Sequence, residues 1–338
     1  MNLDLLPVRL SINAMTAWNP LNILNVYKKD YFMSDIFTEL DKLKRERNAV
    51  ILSHYYQAPD IQDVADFVGD SLALAQHAKK IEEDVILFCG VYFMCETAKI
   101  INPEKRVIFP DQNAGCSLAE SAPVNVVEKW IDNHPEYTVI SYINCSAKVK
   151  ALSDVICTSS NAERIINSFP VDEKILFLPD RFLGSFINSK TNRNMRLWEG
   201  SCHVHEMFSV QELIRLKEKY SDALVLAHPE CSIEILVYAD HIGSTSSIIG
   251  YSMASKAKTF IIATEPGVIH QMKKHKSDKT YIPLPPNNGC SCNECPYMRL
   301  NTLEKMVTAL EHMSPEIIMD EDVRLNALKP LERMLELS

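Results

Sequence analysis

Three cysteines lie within six residues near the C-terminal end of the sequence: Cys290, Cys292 and Cys295. Cys116 and Cys202 stand alone in similarly polar, glycine-containing surroundings. Cys202 follows Cys116 by 86 residues, and Cys295 follows Cys202 by 93. This near-equal spacing predicts three similar units that each bring one thiolate to a common point. Thiolates at such a point would bind zinc or an iron–sulfur cluster.

The spacing of the cysteines bears on which of these two metals is expected. Structural zinc takes four ligands, usually from pairs of closely spaced cysteines. Cys116 and Cys202 are unpaired, which disfavours a four-sulfur zinc site, although Cys292 and Cys295 would supply half of one. An iron–sulfur cluster accepts thiolates from distant segments. With three thiolates one iron stays open, and we expect it to act as a Lewis acid rather than as an electron carrier.

The composition is that of a globular enzyme and excludes some partners. The chain has 338 residues, of which 46% are hydrophobic and 23% are charged, so it is long enough for two or three domains. A net charge of −9 without a basic stripe argues against nucleic acid as a partner. It does not exclude anionic substrates, because helix N-termini and local groups can hold them.

Ten cysteines are many for this length, and the compartment decides how they are interpreted. The first residues lack a basic segment followed by an apolar run, and no 18 apolar residues run together. We therefore expect a cytoplasmic protein without membrane contact, in which cysteines stay reduced. The cysteines in or beside predicted strands and helices are expected to be core residues, namely Cys89, Cys95, Cys145, Cys157 and Cys231.

The elements that must position the five loop cysteines form an internal repeat. From Val50, short β-rich runs alternate with helical segments, which is typical of α/β units with parallel strands. Three series of residues share spacings of 88 and 86: His54, Tyr142 and His228; Tyr56, Asn144 and Glu230; Ser71, Ser159 and Thr245. We therefore predict an α/β fold of three pseudo-threefold-related αβα sandwich domains, with short parallel sheets around a central active site.

The repeat also sets the predicted domain borders. Ser34 is a candidate N-cap for an amphipathic helix with Ile36, Phe37, Leu40 and Leu43 on its apolar face. The predicted units are an N-terminal extension of unknown role (1–33), a first αβα repeat with this leading helix (34–123), a second repeat (124–209), a third repeat (210–298) and a C-terminal helical tail packing on the core (299–338).

Polar residues follow the first strand of each predicted repeat. Ligands of open α/β sheets bind beyond the carboxyl ends of the strands, so the three pairs at i, i+2 are predicted to face one site. Taken singly, such residues cap strands. Ser71, Ser159 and Thr245 stand where hydroxyls usually act as helix N-caps, but helix N-termini with hydroxyls also bind carboxylate or phosphate.

Several motifs, in order from about residue 48 to 312, resemble bacterial quinolinate synthase. They are SHYYQAPDIQDVADFVGDSLALAQHA, FCGVYFMCETAKIINPEKRVIFPDQNAGCSLAE, YINCSAKVKALSDVICTSSNA, CHVHE, LAHPEC, GSTSSII and CNECPYMRLNTLEK. The resemblance implies an enzyme of de novo NAD biosynthesis that condenses iminoaspartate with dihydroxyacetone phosphate, giving quinolinate, two waters and phosphate. It also implies one [4Fe–4S] cluster per chain. Because iminoaspartate hydrolyses readily, a transient contact with the enzyme that produces it is expected.

The resemblance also implies a role for each matching position. The cluster ligands would be Cys116, Cys202 and Cys295, and the acid–base and further catalytic residues would be Glu230, Tyr56 and His205. Histidines and helix N-terminal hydroxyls would neutralise the carboxylates and phosphate of the substrates. The implied substrate-binding residues are His54, Ser71, Tyr142, Asn144, Ser159, His228, Ser244 and Thr245.

Two other classes of protein remain as alternatives. A non-enzymatic iron–sulfur redox or sensor protein would normally use four thiolates and would not need polar residues at strand ends. A zinc-dependent aldolase-type enzyme would rely on histidine and carboxylate ligands instead. Cys290 and Cys292 depart from the tail of many relatives: they are either accessory thiols without a role or, for Cys292 with Cys295, a redox switch.

Overall fold

The computed structural model describes residues 35–275, 278–287 and 293–338. The predicted extension 1–33, the candidate cap Ser34, and both Cys290 and Cys292 lie outside the described residues. The first described element is helix α1, over residues 35–46. Its buried face comprises Ile36, Leu40 and Leu43, as the pattern predicts, whereas Phe37 is 37% exposed. Phe37 lies one residue off this i, i+4, i+7 stripe, about 100° around the helix, so it turns outward.

Three four-stranded parallel sheets follow one another along the chain, with the same strand order. In each sheet the first strand lies between the second and the third, and the fourth pairs with the third. The first sheet comprises β1 (Ala49–His54), β2 (Phe67–Gly69), β3 (Val85–Cys89) and β4 (Arg106–Ile108). The second comprises β5 (Thr138–Tyr142), β6 (Val155–Cys157), β7 (Ile175–Leu178) and β8 (Arg196–Leu197). The third comprises β9 (Leu224–Ala227), β10 (His241–Ile242), β11 (Thr259–Ala263) and β12 (Thr280–Pro283).

Helices alternate with these strands, as parallel pairing requires. Those around the first sheet are α2 (Pro59–Val64), α3 (Ser71–Ala78), α4 (Tyr92–Ile101) and α5 (Ser117–Glu120). Those around the second are α6 (Val124–Asn133), α7 (Ala147–Lys150), α8 (Ala162–Asn167), α9 (Arg181–Thr191) and α10 (His203–Glu206). Those around the third are α11 (Val210–Lys219), α12 (Ile233–Leu236), α13 (Thr245–Ala254) and α14 (Val268–His275). A 3-10 turn (Met298–Leu300), α15 (Leu303–His312) and α16 (Glu321–Glu336) complete the described chain.

The register of the repeats agrees residue by residue. The first strand of each sheet pairs with the second at an offset of 15 residues: Leu52 with Phe67, Ile140 with Val155, and Leu226 with His241. An aspartate precedes each second strand and accepts a hydrogen bond from the backbone N–H of the first strand. The pairs are Asp66 with Ile51 (2.8 Å), Asp154 with Val139 (2.7 Å) and Asp240 with Val225 (2.8 Å). The predicted fold class of three αβα units is confirmed.

Each sheet is covered on both faces, so its strands are almost wholly apolar, as is typical of buried parallel sheets. The two faces of the third sheet pack against α11 and α12 on one side and α13 and α14 on the other. Helices α1 and α15 cover one face of the first sheet, and α16 packs against α4, α7 and β6. The described C-terminal helices therefore join the first repeat to the second. The exact domain borders stay predictions.

The described helices were also compared with the requirements of a membrane span. None of them, within residues 35–275, 278–287 and 293–338, combines the length and the apolarity needed to cross a bilayer.

Candidate active site and metal centre

One cavity, open to solvent, collects residues from all three repeats. His54 and Tyr142 end their strands and His228 directly follows β9, so the cavity lies at the carboxyl ends of the first strands, as predicted. Every predicted site residue except Ser244 lines it. These residues are His54, Tyr56, Ser71, Cys116, Tyr142, Asn144, Ser159, Cys202, His205, His228, Glu230, Thr245 and Cys295.

Two histidines are held in the same way by their own loops. His54 Nδ1 accepts the Tyr56 N–H at 3.2 Å, and His228 Nδ1 accepts the Glu230 N–H at 3.4 Å. The proton of each ring is therefore on Nε2. The Nε2 atom of His228 lies 3.2 Å from the Ser159 hydroxyl oxygen. Burial lowers the pKa of His54 to about 4 and that of His228 to about 3. At neutral pH both rings are uncharged, so in the ligand-free site they offer hydrogen bonds to an anion rather than the predicted positive charge.

Ser71, Ser159 and Thr245 are not helix N-caps, contrary to the commonest expectation. Asp70 caps α3 by accepting the Ala73 N–H at 2.9 Å, so Ser71 is the first helical residue. Ser244 caps α13 by accepting the Ser247 N–H at 3.3 Å, which turns its side chain to the helix and leaves Thr245 to line the cavity. Ser159 stands three residues before α8, whose N-cap is Asn161. Since neighbouring residues supply the caps, none of these three hydroxyls is used to cap a helix N-terminus.

Glu230 is almost fully enclosed in the cavity, with 3% of the residue exposed. Its Oε1 accepts the Tyr142 hydroxyl at 2.5 Å, and its Oε2 lies 3.1 Å from His205 Nδ1. Burial raises the pKa of Glu230, but the neighbouring His205, His228 and Tyr142 outweigh it and hold the pKa at about 2. Burial, together with Glu230, raises the pKa of Tyr142 well above its usual value. The pair is thus a carboxylate and a phenol.

A second hydrogen-bonded chain runs beside this pair. The Tyr56 hydroxyl lies 3.0 Å from Thr245 Oγ1 and 2.8 Å from Thr264 Oγ1, and the latter lies 3.0 Å from His205 Nε2. Tyr56, predicted as an acid–base group, therefore reaches the Glu230 side of the cavity through Thr264 and His205. No motif or repeat spacing in the sequence points to Thr264.

The three predicted ligand cysteines share one local geometry. Cys116 directly precedes α5, Cys202 directly precedes α10, and Cys295 comes three residues before the 3-10 turn. In each case backbone N–H groups of the following turn lie near the sulfur and favour its thiolate. Gly200 allows the Cys202 loop to approach β7, because a Cβ there would lie 2.4 Å from the Pro179 carbonyl oxygen.

The donor set of these cysteines fits a cluster better than a single ion. Burial raises the pKa of Cys116 to about 12 and also raises the pKa of Cys202 and Cys295, so a metal must displace protons from them. Sulfur ligands of one tetrahedral zinc ion lie about 3.8 Å apart. The three cysteines do not form such a compact group: within the described residues, the ligand atoms that all lie within 4.8 Å of one another belong to Cys202, His205 and Glu230. Wider spacing of three thiols around one cavity suits a polynuclear centre.

The remaining described cysteines confirm their predicted place in the core. The residues are fully buried free thiols, and burial raises the pKa of each of them. They are Cys89, Cys95, Cys145, Cys157 and Cys231. Thiols in such apolar surroundings are inert packing groups.

A buried contact between Glu265 and Arg299, which the sequence did not reveal, holds the loop of Cys295. Glu265 is fully buried, and its Oε1 accepts from Arg299 Nη2 at 2.9 Å and from the Cys295 N–H at 3.3 Å. Its Oε2 accepts the Gly267 N–H at 2.6 Å. Arg299 Nη1 donates to the Tyr56 carbonyl at 2.9 Å. Glu265 thereby ties the ligand loop to the loop after β11, and Arg299 ties it to the loop after β1.

The protonation of Glu265 gives the chain a testable pH dependence. Burial raises its pKa to about 8 from 4.5, with Arg299 acting in the opposite direction. Between pH 4.5 and 8 the folded state therefore keeps a proton on Glu265 that the unfolded state releases. The free energy of unfolding consequently decreases as the pH rises from 4.5 through 8. We expect the stability of the wild type relative to Glu265→Gln to fall by up to about 5 kcal/mol over that range, at about 1.36 kcal/mol per unit.

Denaturation of the full chain at a series of pH values would measure this difference. Glu294→Gln is the matched control, because Glu294 lies 3.2 Å from Arg299 but has a side chain that is 45% exposed. Parallel pH profiles for the wild type and Glu265→Gln would show that Glu265 is ionised in the folded state.

Comparison with known proteins identifies relatives over most of the chain. The family model described as Quinolinate synthetase A protein matches residues 38–336. The chain is 57% identical over 305 residues to the quinolinate synthase of Chloroherpeton thalassium, covering 90% of this chain and 95% of that protein. It is 52% identical over 323 residues to the quinolinate synthase of Rippkaea orientalis, covering 96% and 99% respectively. That of Gloeothece citriformis is 55% identical over 304 residues, covering 90% and 94%.

Proposed function

Because this chain belongs to the quinolinate synthetase A protein family and is an enzyme, we propose that it makes quinolinate for NAD biosynthesis. Its substrates would be iminoaspartate and dihydroxyacetone phosphate, and its products quinolinate, two waters and phosphate. We further propose one [4Fe–4S] cluster per chain, held by Cys116, Cys202 and Cys295. The observation that carries the proposal is the convergence of these three cysteines with the strand-end polar residues on one cavity.

The cluster assignment is supported by the surroundings of the three sulfurs. Each faces N–H groups of a following turn, and the Ser117 hydroxyl, next to Cys116, lies 2.7 Å from His203 Nδ1, next to Cys202. The Ser117–His203 contact holds the loops of Cys116 and Cys202 against one another. A cluster with three protein thiolates would supply an open iron, a Lewis acid that polarises a leaving hydroxyl.

Neutral donors would bind the carboxylates of iminoaspartate. His54 and His228 offer Nε2–H groups, and hydroxyls at Ser71, Ser159 and Thr245 lie on the same cavity. A bound dicarboxylate would favour protonation of both histidines, which compensates for its buried charge. The Asn144 Oδ1 is buried without a hydrogen-bond partner in the described residues, so this amide is free to accept from the imine nitrogen or a substrate hydroxyl.

Proton transfer would be centred on Glu230. Condensation, isomerisation and two dehydrations all move protons, and general acid–base catalysis needs a carboxylate within hydrogen-bonding reach of the substrate. With a pKa of about 2, Glu230 enters the reaction ionised and is set to accept a proton. Tyr142 then serves as the acid that returns it, while Tyr56 and His205 align the neighbouring hydroxyls.

The location and the partners follow from this chemistry. We place the enzyme in the cytoplasm, because the described cysteines are free thiols and the ligand cysteines must stay reduced. We also propose a transient contact with the enzyme that produces iminoaspartate, since delivery over a short distance would limit hydrolysis of that imine.

Metal analysis after anaerobic reconstitution tests the proposal. The full chain, first freed of bound metal by a chelator, would be supplied with ferrous iron, sulfide and a thiol reductant. We expect about four irons and four sulfides per chain, the content of one [4Fe–4S] cluster. A chain that takes up iron without sulfide, or takes up neither, would contradict the cluster.

A further inference from the structure

A compact group of three different metal ligands lies at one wall of the cavity. Cys202 Sγ, a His205 ring nitrogen and a Glu230 carboxylate oxygen all lie within 4.8 Å of one another. Cys202 and His205 are i, i+3 at the start of α10 and so face the same way, and Glu230 reaches them from the loop after β9. Two of the three ligands are not among the cysteines proposed for the cluster.

One buried polar atom of the group lies against another ligand of the same group. His205 is 2% exposed, and its Nδ1 is buried without an aligned hydrogen bond in the described residues. This nitrogen nevertheless lies 3.1 Å from Glu230 Oε2, a distance close to the roughly 3.4 Å between two ligands of a tetrahedral zinc ion. The other ring nitrogen is secured by Thr264 at 3.0 Å. A metal-binding histidine typically has this arrangement, with one nitrogen held by an outer partner and the other free.

The ligand types of the group also suit a divalent cation. Among the described residues, the basic side chains within ion-pair distance of Glu230 are the imidazoles of His205 and His228. A divalent ion bound by one carboxylate, one thiolate and one neutral imidazole would leave no net charge, and zinc accepts all three ligand types.

We propose that Cys202, His205 and Glu230 form a single-ion site for Zn²⁺ in the cluster-free chain, and that zinc there excludes the cluster. The exclusion follows from Cys202, which cannot serve both metals at once. The zinc site itself rests only on these three residues, whereas the exclusion of the cluster also rests on the proposed function. Zinc binding would thus give the chain a second metal-bound state, in which Zn²⁺ occupies the Glu230 carboxylate proposed for proton transfer.

Zinc titration of the cluster-free full chain against a chromophoric chelator tests the site. We expect one tight Zn²⁺ per chain. His205→Gln and Glu230→Gln should weaken binding at least about 100-fold, the upper end of what loss of an outer partner costs. Co²⁺ as a spectroscopic probe should show charge transfer from a single thiolate. Circular dichroism of each variant would establish that its fold is intact.

The double variant Cys116→Ser/Cys295→Ser is the matched control. It should bind zinc as the wild type does but fail to assemble the cluster, whereas His205→Gln and Glu230→Gln should assemble the cluster but not bind zinc tightly. Zinc binding that disappears in the double variant would mean a three-thiolate site and overturn the inference. So would the absence of tight binding in the wild type, or a zinc-loaded chain that accepts the cluster and keeps its zinc. Failure of cluster assembly in the wild type would count against the proposed function alone.

Discussion

Replacing Cys116, Cys202 or Cys295 by alanine, one at a time, is expected to abolish the cluster and, with it, quinolinate formation. A cluster held by three protein thiolates that loses one of them has only two protein ligands, and among the described residues no further thiol lines the cavity to replace it. Visible absorption and iron content after anaerobic reconstitution would measure the loss. Activity should fall to background because the open iron is absent.

Controls for this series come from cysteines outside the ligand set. Cys157→Ala removes a fully buried sulfur of β6 and should cost core packing, about 1–2 kcal/mol, but not the cluster. Cys290→Ala and Cys292→Ala should also keep it, since the repeat register needs only Cys295 from that stretch. A chain that loses its cluster with Cys290→Ala or Cys292→Ala, yet retains it with Cys295→Ala, would refute the ligand assignment.

Glu230→Gln is expected to keep the cluster and lose about 10²–10⁴-fold in kcat, the usual contribution of a general acid–base group. The amide has the same shape and can still accept the Tyr142 hydroxyl, but it cannot take a proton. Reconstituted protein, matched for iron and sulfide, should therefore be compared in the turnover assay.

The neighbouring Glu234→Gln is the control, because Glu234 lies on the exposed side of α12, four residues further along. It should turn over as the wild type does. Near-normal kcat in Glu230→Gln would remove Glu230 from the mechanism and leave Tyr142 without its base.

The repeat is what made the fold and much of the cavity predictable. Spacings of 88 and 86 residues align His54, Tyr142 and His228 at the ends of equivalent strands, and equivalent positions in pseudo-threefold units face a common centre. The same register places Asp66, Asp154 and Asp240 in identical hydrogen bonds, a fourth series that was present in the sequence and overlooked. The roles of the site residues stay predictions.

Features confined to one repeat could not be predicted in this way. Glu265 and Arg299 meet across 34 residues of sequence and belong to no series, so only the folded chain reveals their contact. Lys150, fully buried, is another such residue: it donates to the Ile143 carbonyl at 2.9 Å and to that of Cys145, fixing the loop that carries Asn144. The capping roles of Asp70 and Ser244 were likewise hidden, because the neighbouring hydroxyls offered equally good candidates.

Anaerobic turnover tests the central claim most directly. The reconstituted chain would be given dihydroxyacetone phosphate and enzymatically generated iminoaspartate, and quinolinate and phosphate would be quantified together. We predict equal amounts of the two products, formed only by protein that carries the cluster. A chain with its full content of iron and sulfide that forms no quinolinate from these substrates would contradict the proposed function.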